Sequence, residues 1–138
     1  MKILEIHNFI RPYIDGGASI SVEKVARSLS ENKEVEVVLI TTYDKFKTSI
    51  EKYKNLKIYK IYPLNLYFGF PPKKKINKFF KILWWIINLW NPFVFFQIRK
   101  ILKIEKPTIV HVHALYSLSF SVISAVKSLK IPVIYTDH

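Results

Sequence analysis

Residues 131–138 read IPVIYTDH, a short apolar run that ends in polar side chains. Such a run is typical of a strand buried in a sheet. In open parallel sheets, ligands bind outside the carboxyl ends of the strands. The segment therefore predicts a parallel α/β sheet, with a candidate site where Asp137 and His138 follow the last strand. Because these residues supply one wall of a cleft, we expect the second wall to come from another domain or chain.

Four earlier segments also have the composition of strands, and helical patterns separate most of them. They are residues 3–7, 34–42, 56–62 and 108–113. A first helix is expected after Ser19 or Ser21 as N-cap, with Val25 and Ala26 on its buried side. Strands that alternate with helices imply parallel pairing. The sequence predicts a doubly wound, Rossmann-like sheet with strand order 3-2-1-4-5.

Length and composition limit the function. With 138 residues, half of them apolar, the chain has the size of a single domain, residues 1–138. It has no cysteine, which excludes disulfides, thiolate catalysis and cysteine-ligated zinc. The net charge of +12 favours an anionic neighbour. The N-terminus has polar residues too early for a secretory signal, so we expect a cytoplasmic location.

Two adjacent glycines, Gly16 and Gly17, stand between the first strand and the first helix. Glycines at a helix N-terminus allow a phosphate to approach the backbone. The pattern is neither the three-glycine dinucleotide motif nor the lysine-bearing P-loop, so it predicts neither NAD nor direct ATP binding. A turn that needs positive φ is the simpler alternative.

Histidines follow three of the predicted strands and are candidates for site chemistry. His7 and His113 lie at the ends of the first and fourth strands, and Tyr116 lies in the next turn. His111 and His113 share a face of their strand, but no third ligand stands nearby in sequence, so no metal site and no cofactor are predicted. His138 is the candidate catalytic residue, because an imidazole at a strand end can exchange a proton with a hydroxyl.

Residues 71–96 form a basic, aromatic segment that we interpret as a membrane-contacting insertion. The expected contacts are Lys73, Lys74, Lys75, Trp84, Trp85 and Trp90. Tryptophans favour the headgroup level and lysines favour anionic lipid. A membrane span needs about 20 mostly apolar residues, whereas the run from 82 to 96 is shorter and contains Pro92. A buried helix that covers the sheet or another domain is the open alternative, and the clustered rings argue against nucleic acid.

Four motifs in the expected order resemble the N-terminal half of GT-B glycosyltransferases of the family-4 type. They are the first strand with its Gly16-Gly17-Ala18 loop, the strand from Val35 to Thr42, residues 106–113 and residues 131–138. The resemblance covers the chain from end to end. It departs at Ala114, where the family often has a polar residue.

The resemblance implies a retaining transfer of sugar from a nucleotide-sugar to an acceptor in glycan biosynthesis. By position, Gly16 and Gly17 would approach the donor diphosphate and His138 would contact the transferred sugar. His7, His113 and Tyr116 are acceptor-side candidates. The family's nucleotide-binding C-terminal half is not in these residues, so we expect the chain to need that half in cis or in trans for turnover.

Three functional hypotheses remain at this point. The preferred one is the acceptor-binding half of a glycosyltransferase, truncated relative to the family. It would lie on the inner face of the membrane and bind a glycan or a lipid-linked acceptor. The second is the membrane-anchored subunit of a split glycosyltransferase. The third is a non-catalytic module on a Rossmann scaffold that binds a membrane surface.

Overall fold

A computed structural model describes residues 1–14, 16–68 and 76–136. The strands are β1 (Lys2–Ile6), β2 (Glu36–Thr42), β3 (Ser49–Tyr53), β4 (Leu56–Ile61), β5 (Ile109–Val112) and β6 (Val133–Tyr135). The helices are α1 (Gly17–Leu29), α2 (Lys78–Leu89), α3 (Pro92–Glu105) and α4 (Ser121–Ser128). The predicted Asp137, His138 and Lys73 to Lys75 sites lie outside the described residues.

The described strands form one six-stranded sheet in the order β3-β4-β2-β1-β5-β6. All neighbours are parallel except β3 and β4. The five predicted strands correspond to β1, β2, β4, β5 and β6, so their predicted order, 3-2-1-4-5, is confirmed. The sequence did not reveal β3, a mostly exposed edge strand joined to β4 by the two-residue turn Lys54–Asn55. Its charged, non-alternating sequence carries no strand signal.

Two apolar layers cover the two faces of the sheet. On one face, Ile6, Ile40 and Val112 are adjacent in register and pack beneath α3 and α4. On the other face, Leu39 and Ile58 pack beneath α1. Glu5 pairs with Leu39 on one side and with His111 on the other, so these polar side chains lie on the α1 face.

Helix α1 starts earlier than the sequence indicated. Its N-cap is Gly16, which makes no side-chain capping bond, so the prediction of Ser19 or Ser21 as N-cap is wrong. Ser19 instead points inward and is buried. The buried side of α1 also differs from the predicted one, because Val22 is buried whereas Val25 is 51% exposed.

Helices α2 and α3 are separated at Asn91, whose side-chain oxygen accepts hydrogen bonds from the backbone N–H groups of Phe93 and Val94. Asn91 also donates to the carbonyl groups of Pro63 and Leu64. The whole helical stretch Lys78–Glu105 is long and apolar enough to cross a membrane, by length and composition alone. However, α3 buries Val94 and Ile98 against the sheet, so that half of the stretch belongs to the core.

Candidate functional site

The carboxyl ends of β1, β5 and β6 bring together a polar cluster on the α1 face. Nε2 of His113 lies 2.6 Å from Oε2 of Glu5, and Nδ1 of His111 lies 3.1 Å from the same oxygen. Nε2 of His111 lies 2.8 Å from Oγ1 of Thr136, at the end of β6. The cluster therefore links three adjacent strands through side chains that are far apart in sequence.

His7 joins this cluster to the start of α1. Its Nε2 lies 3.2 Å from Oγ of Ser19, and its ring meets that of His113 edge to face, with centroids 6.0 Å apart. His7 and His113 are both buried, at 1% and 7% exposure. Both histidines lie at the strand ends, as the sequence predicted, but their rings are packed within the edge of the sheet. A ligand would meet His111 first, because it is less buried.

Asn8 holds the loops around this edge in place, and sequence reasoning did not identify it. Its side-chain oxygen accepts a hydrogen bond from the backbone N–H of Ser117, 2.9 Å away. Its carbonyl accepts bonds from the hydroxyl of Thr41 and the backbone N–H of Thr42 at the end of β2. One residue therefore positions the ends of β1 and β2 and the loop after β5. Such a role has no motif, because it depends on tertiary contacts.

Glu5 was also missed, although a signal exists for it. It stands between Leu4 and Ile6 in a buried strand and is two residues from His7, so it shares the face of His7. A carboxylate in a central strand is unusual because burying a charge is costly unless it is compensated. That cost points to a functional or paired role.

Gly16 and Gly17 lie at the N-terminus of α1, and both face open space. A Cβ atom added to either one would meet no heavy atom of the described residues within 4 Å. Neither glycine has a left-handed backbone. The alternative of a turn that needs positive φ is therefore wrong. No described residue fills the space beside these two glycines, and the N–H groups at the helix N-terminus carry partial positive charge.

Tyr116 connects the site to the aromatic helix α2. Its ring packs against Trp84 and Trp85, with centroids 5.5 and 5.4 Å away. Its carbonyl accepts a hydrogen bond from Asn88 of α2. Tyr116 is 47% exposed, so a ligand at the strand ends can reach it.

The three tryptophans of the basic aromatic segment differ in exposure. Trp84 is 2% exposed, stacks on Tyr67 and donates a hydrogen bond from its indole N–H to the Tyr67 carbonyl. Its prediction as a membrane contact is wrong, because it anchors α2 to the domain. Trp85 and Trp90 are 42% and 53% exposed. Asn88 of the same helix is buried as well, and its side-chain amide donates a hydrogen bond to the loop after β5.

The outer side of α2 is apolar. Its exposed large side chains are Phe79, Phe80, Ile82, Trp85, Ile86 and Leu89. We call these six residues the α2 apolar face. Lys78 and Lys81 are exposed on the same helix.

A separate groove of about 620 Å³ lies between β4 and α3, lined by residues that include Tyr59, Phe93 and Gln97. Tyr59 belongs to the core layer beneath α3. The groove is therefore on the opposite face of the sheet from Glu5 and His111, and it is not part of the candidate site.

The family model for Glycosyltransferase Family 4 matches residues 15–138. The chain belongs to glycosyltransferase family 4. It is also 32% identical, over its whole length, to an uncharacterized 42.6 kDa protein in the cps region of Klebsiella pneumoniae. The match spans 36% of that relative, so this family-4 chain covers about a third of the length of the relative.

Solved structures agree with the family-4 assignment at the level of the fold. The sucrose-phosphate synthase of Thermosynechococcus elongatus matches 99% of the chain with a TM-score of 0.63 and 13% identity. The UDP-GlcNAc 2-epimerase of Methanocaldococcus jannaschii matches 99% with a TM-score of 0.56 and 18% identity. The chain covers 32% and 31% of these proteins. The family-4 chain thus has the Rossmann-like fold of the N-terminal half of a GT-B enzyme.

Proposed function

We propose that this family-4 domain binds the acceptor in a retaining glycosyltransferase that moves a sugar from a nucleotide-sugar. The open space beside Gly16 and Gly17 carries the proposal. It lies at a helix N-terminus, where N–H groups stabilise the negative charge that develops on a leaving diphosphate. No metal is proposed for the transfer step.

The acceptor side is proposed to lie at the ends of β1 and β5. His113 and Tyr116 are the contacts we assign to it, with His7 supporting His113 through the edge-to-face packing of their rings. His138 remains the proposed contact to the transferred sugar. A C-terminal GT-B half, in cis or in trans, supplies the nucleotide groove.

The acceptor is further proposed to be lipid-linked and the enzyme to bind the inner surface of the membrane. Two observations support this step. The α2 apolar face is exposed, although burying such side chains is favourable. Residues 71–106 also carry nine basic side chains against one acidic side chain, which complements an anionic bilayer. An in-plane helix fits both observations.

The proposal is tested with the full-length protein and a panel of nucleotide-sugars, by measuring sugar transfer and the anomeric configuration of the product. Gly17→Ala is the informative variant. The added methyl group meets no described residue and Ala favours the helix, so the melting temperature should not fall. The KM for the donor should rise roughly tenfold, because the methyl group blocks the approach of the diphosphate.

Ser21→Ala is the matched control, since Ser21 is exposed on the same helix. It should leave the donor KM unchanged. Retention of configuration and a donor effect specific to Gly17 support the proposal. If no nucleotide-sugar is turned over when a C-terminal half is present, the domain is a membrane-binding module instead.

A further inference from the structure

Three glutamates are buried in the described part of the chain, and one of them differs from the others. Glu23 pairs with Arg27 and Arg11, and Glu105 pairs with Lys2 and Lys57. Glu5 is 3% exposed and, among the described residues, its carboxylate contacts the imidazoles of His111 and His113. A buried carboxylate needs a compensating positive charge. An imidazole supplies that charge only when it is protonated.

The three side chains present ligand atoms of the types that zinc prefers. One oxygen of Glu5 and one nitrogen from each histidine lie within 4.8 Å of one another. Zinc bonds to imidazole nitrogen and carboxylate oxygen at about 2.1 Å, which separates neighbouring ligands of a tetrahedral site by about 3.4 Å. The distance of 3.1 Å from Nδ1 of His111 to Oε2 of Glu5 is close to this value. The distance of 2.6 Å from Nε2 of His113 to the same oxygen is that of a hydrogen bond, and it would lengthen when an ion replaces the shared proton.

The surroundings of the cluster also match those of metal sites. Histidine ligands are usually oriented by a hydrogen bond at their other ring nitrogen. Nε2 of His111 has such a partner in Thr136, 2.8 Å away, and this contact turns Nδ1 toward Glu5. The His111 side chain is 28% exposed, which provides a path for an ion and for a solvent ligand.

We propose that Glu5, His111 and His113 bind a divalent metal ion, with zinc as the preferred ion. Two neutral imidazoles and one carboxylate leave a fourth tetrahedral position for water or a ligand oxygen. The ion replaces the protons that otherwise bridge the carboxylate and the imidazoles. The sequence offered no third ligand because Glu5 lies on a different strand, more than a hundred residues from His111. This site is independent of the proposed donor chemistry.

The test is direct metal binding by the full chain. Zinc is measured by equilibrium dialysis, and Co²⁺ by the visible absorption that a tetrahedral site of nitrogen and oxygen ligands produces. We expect one ion per chain. His111→Gln should weaken binding more than tenfold, and Thr136→Val should weaken it by roughly tenfold through loss of ring orientation.

The controls are a second imidazole and a second buried carboxylate. His7→Gln and Glu23→Gln should retain the metal, because neither residue supplies a ligand atom to the proposed site. Glu5→Gln is interpreted only if its circular dichroism spectrum is native. His111→Gln and Thr136→Val, at more accessible positions, keep the test decisive if Glu5→Gln does not fold.

Ring NMR signals separate this proposal from a purely hydrogen-bonded cluster. Added Zn²⁺ should shift the signals of His111 and His113 far more than those of His7, whose ring packs against His113 without supplying a ligand atom. Absence of binding at millimolar metal, or binding that survives both His111→Gln and Thr136→Val, would overturn the proposal. Because these experiments measure metal binding and not sugar transfer, a failed transfer assay does not affect their result.

Discussion

Oε2 of Glu5 lies 2.6 Å from Nε2 of His113, although 108 positions separate the two residues in the chain. The contact exists because β1 and β5 are adjacent and parallel, with Glu5 paired to His111 in register. The crossover between them includes α1, β2, the β3–β4 hairpin, α2 and α3. The order of the strands in the sheet therefore assembles the site from residues that are far apart in the chain.

Membrane binding should depend on the α2 apolar face. The double variant Ile82→Ser, Ile86→Ser removes two exposed apolar side chains from α2, at 60% and 58% exposure. We expect it to reduce cosedimentation with vesicles that contain anionic lipid, because burial of apolar area drives in-plane binding. Ile50→Ser, at 51% exposure on β3, is the matched control and should bind normally. Unchanged binding by the double variant would contradict the membrane proposal.

Neighbouring tryptophans should differ in their effect on stability. Trp84→Ala removes a buried ring and its hydrogen bond to the Tyr67 carbonyl, so it should lower the free energy of unfolding by about 3–5 kcal/mol. Trp85→Ala should cost much less, because Trp85 is 42% exposed. Urea denaturation measures both. Equal losses would mean that α2 is docked differently from the arrangement described.

Acid should destabilise the fold through Glu105. Burial favours the neutral acid, but hydrogen bonds from Lys57, Tyr59 and Lys2 outweigh it and hold the pKa of Glu105 below its usual value of 4.5. A carboxyl whose pKa is lowered by folding adds stability above the unfolded-state pKa, and this stability is lost as the pH falls through the folded-state pKa. Stability should therefore decline below about pH 4.5.

Glu105→Gln tests this expectation. The variant should be less stable than the parent at pH 7, because Lys57 and Lys2 lose their partner. The gap should narrow as the pH falls from 5 toward 3, as followed by urea denaturation at each pH. Glu31→Gln is a control at an exposed ion pair with Lys54 and should have little effect. A gap that is constant with pH would assign the acid sensitivity to other groups.

The parallel strands were predictable because apolar runs and helical patterns alternate along the chain. The order of those strands came from the order that is usual in doubly wound sheets, the class that the alternation indicated. Strand β3 was not predictable, since its five residues are stabilised by pairing with β4 and not by a buried face. The sequence also predicted the exposed Trp85 but not the buried Trp84, because nearly every position of α2 is apolar and the pattern does not reveal which side faces the domain.

Among the polar residues of the site, too, the sequence identified some and missed others. His7 and His113 were found because each follows a strand. Glu5 and Asn8 were missed because their partners, His111 and Ser117, lie more than a hundred residues away. Ser19 was interpreted as a helix cap, yet it contacts the ring of His7. In each case a tertiary contact determines the role of a side chain whose local sequence suggests something simpler.

The bond from Asn88 to the Tyr116 carbonyl, followed by the bond from the Ser117 N–H to Asn8, connects α2 to the end of β1. If α2 rests in a bilayer, its depth fixes the height of the strand ends above the lipid headgroups. A lipid-linked acceptor of the proposed kind would then have to present its reactive hydroxyl at that height.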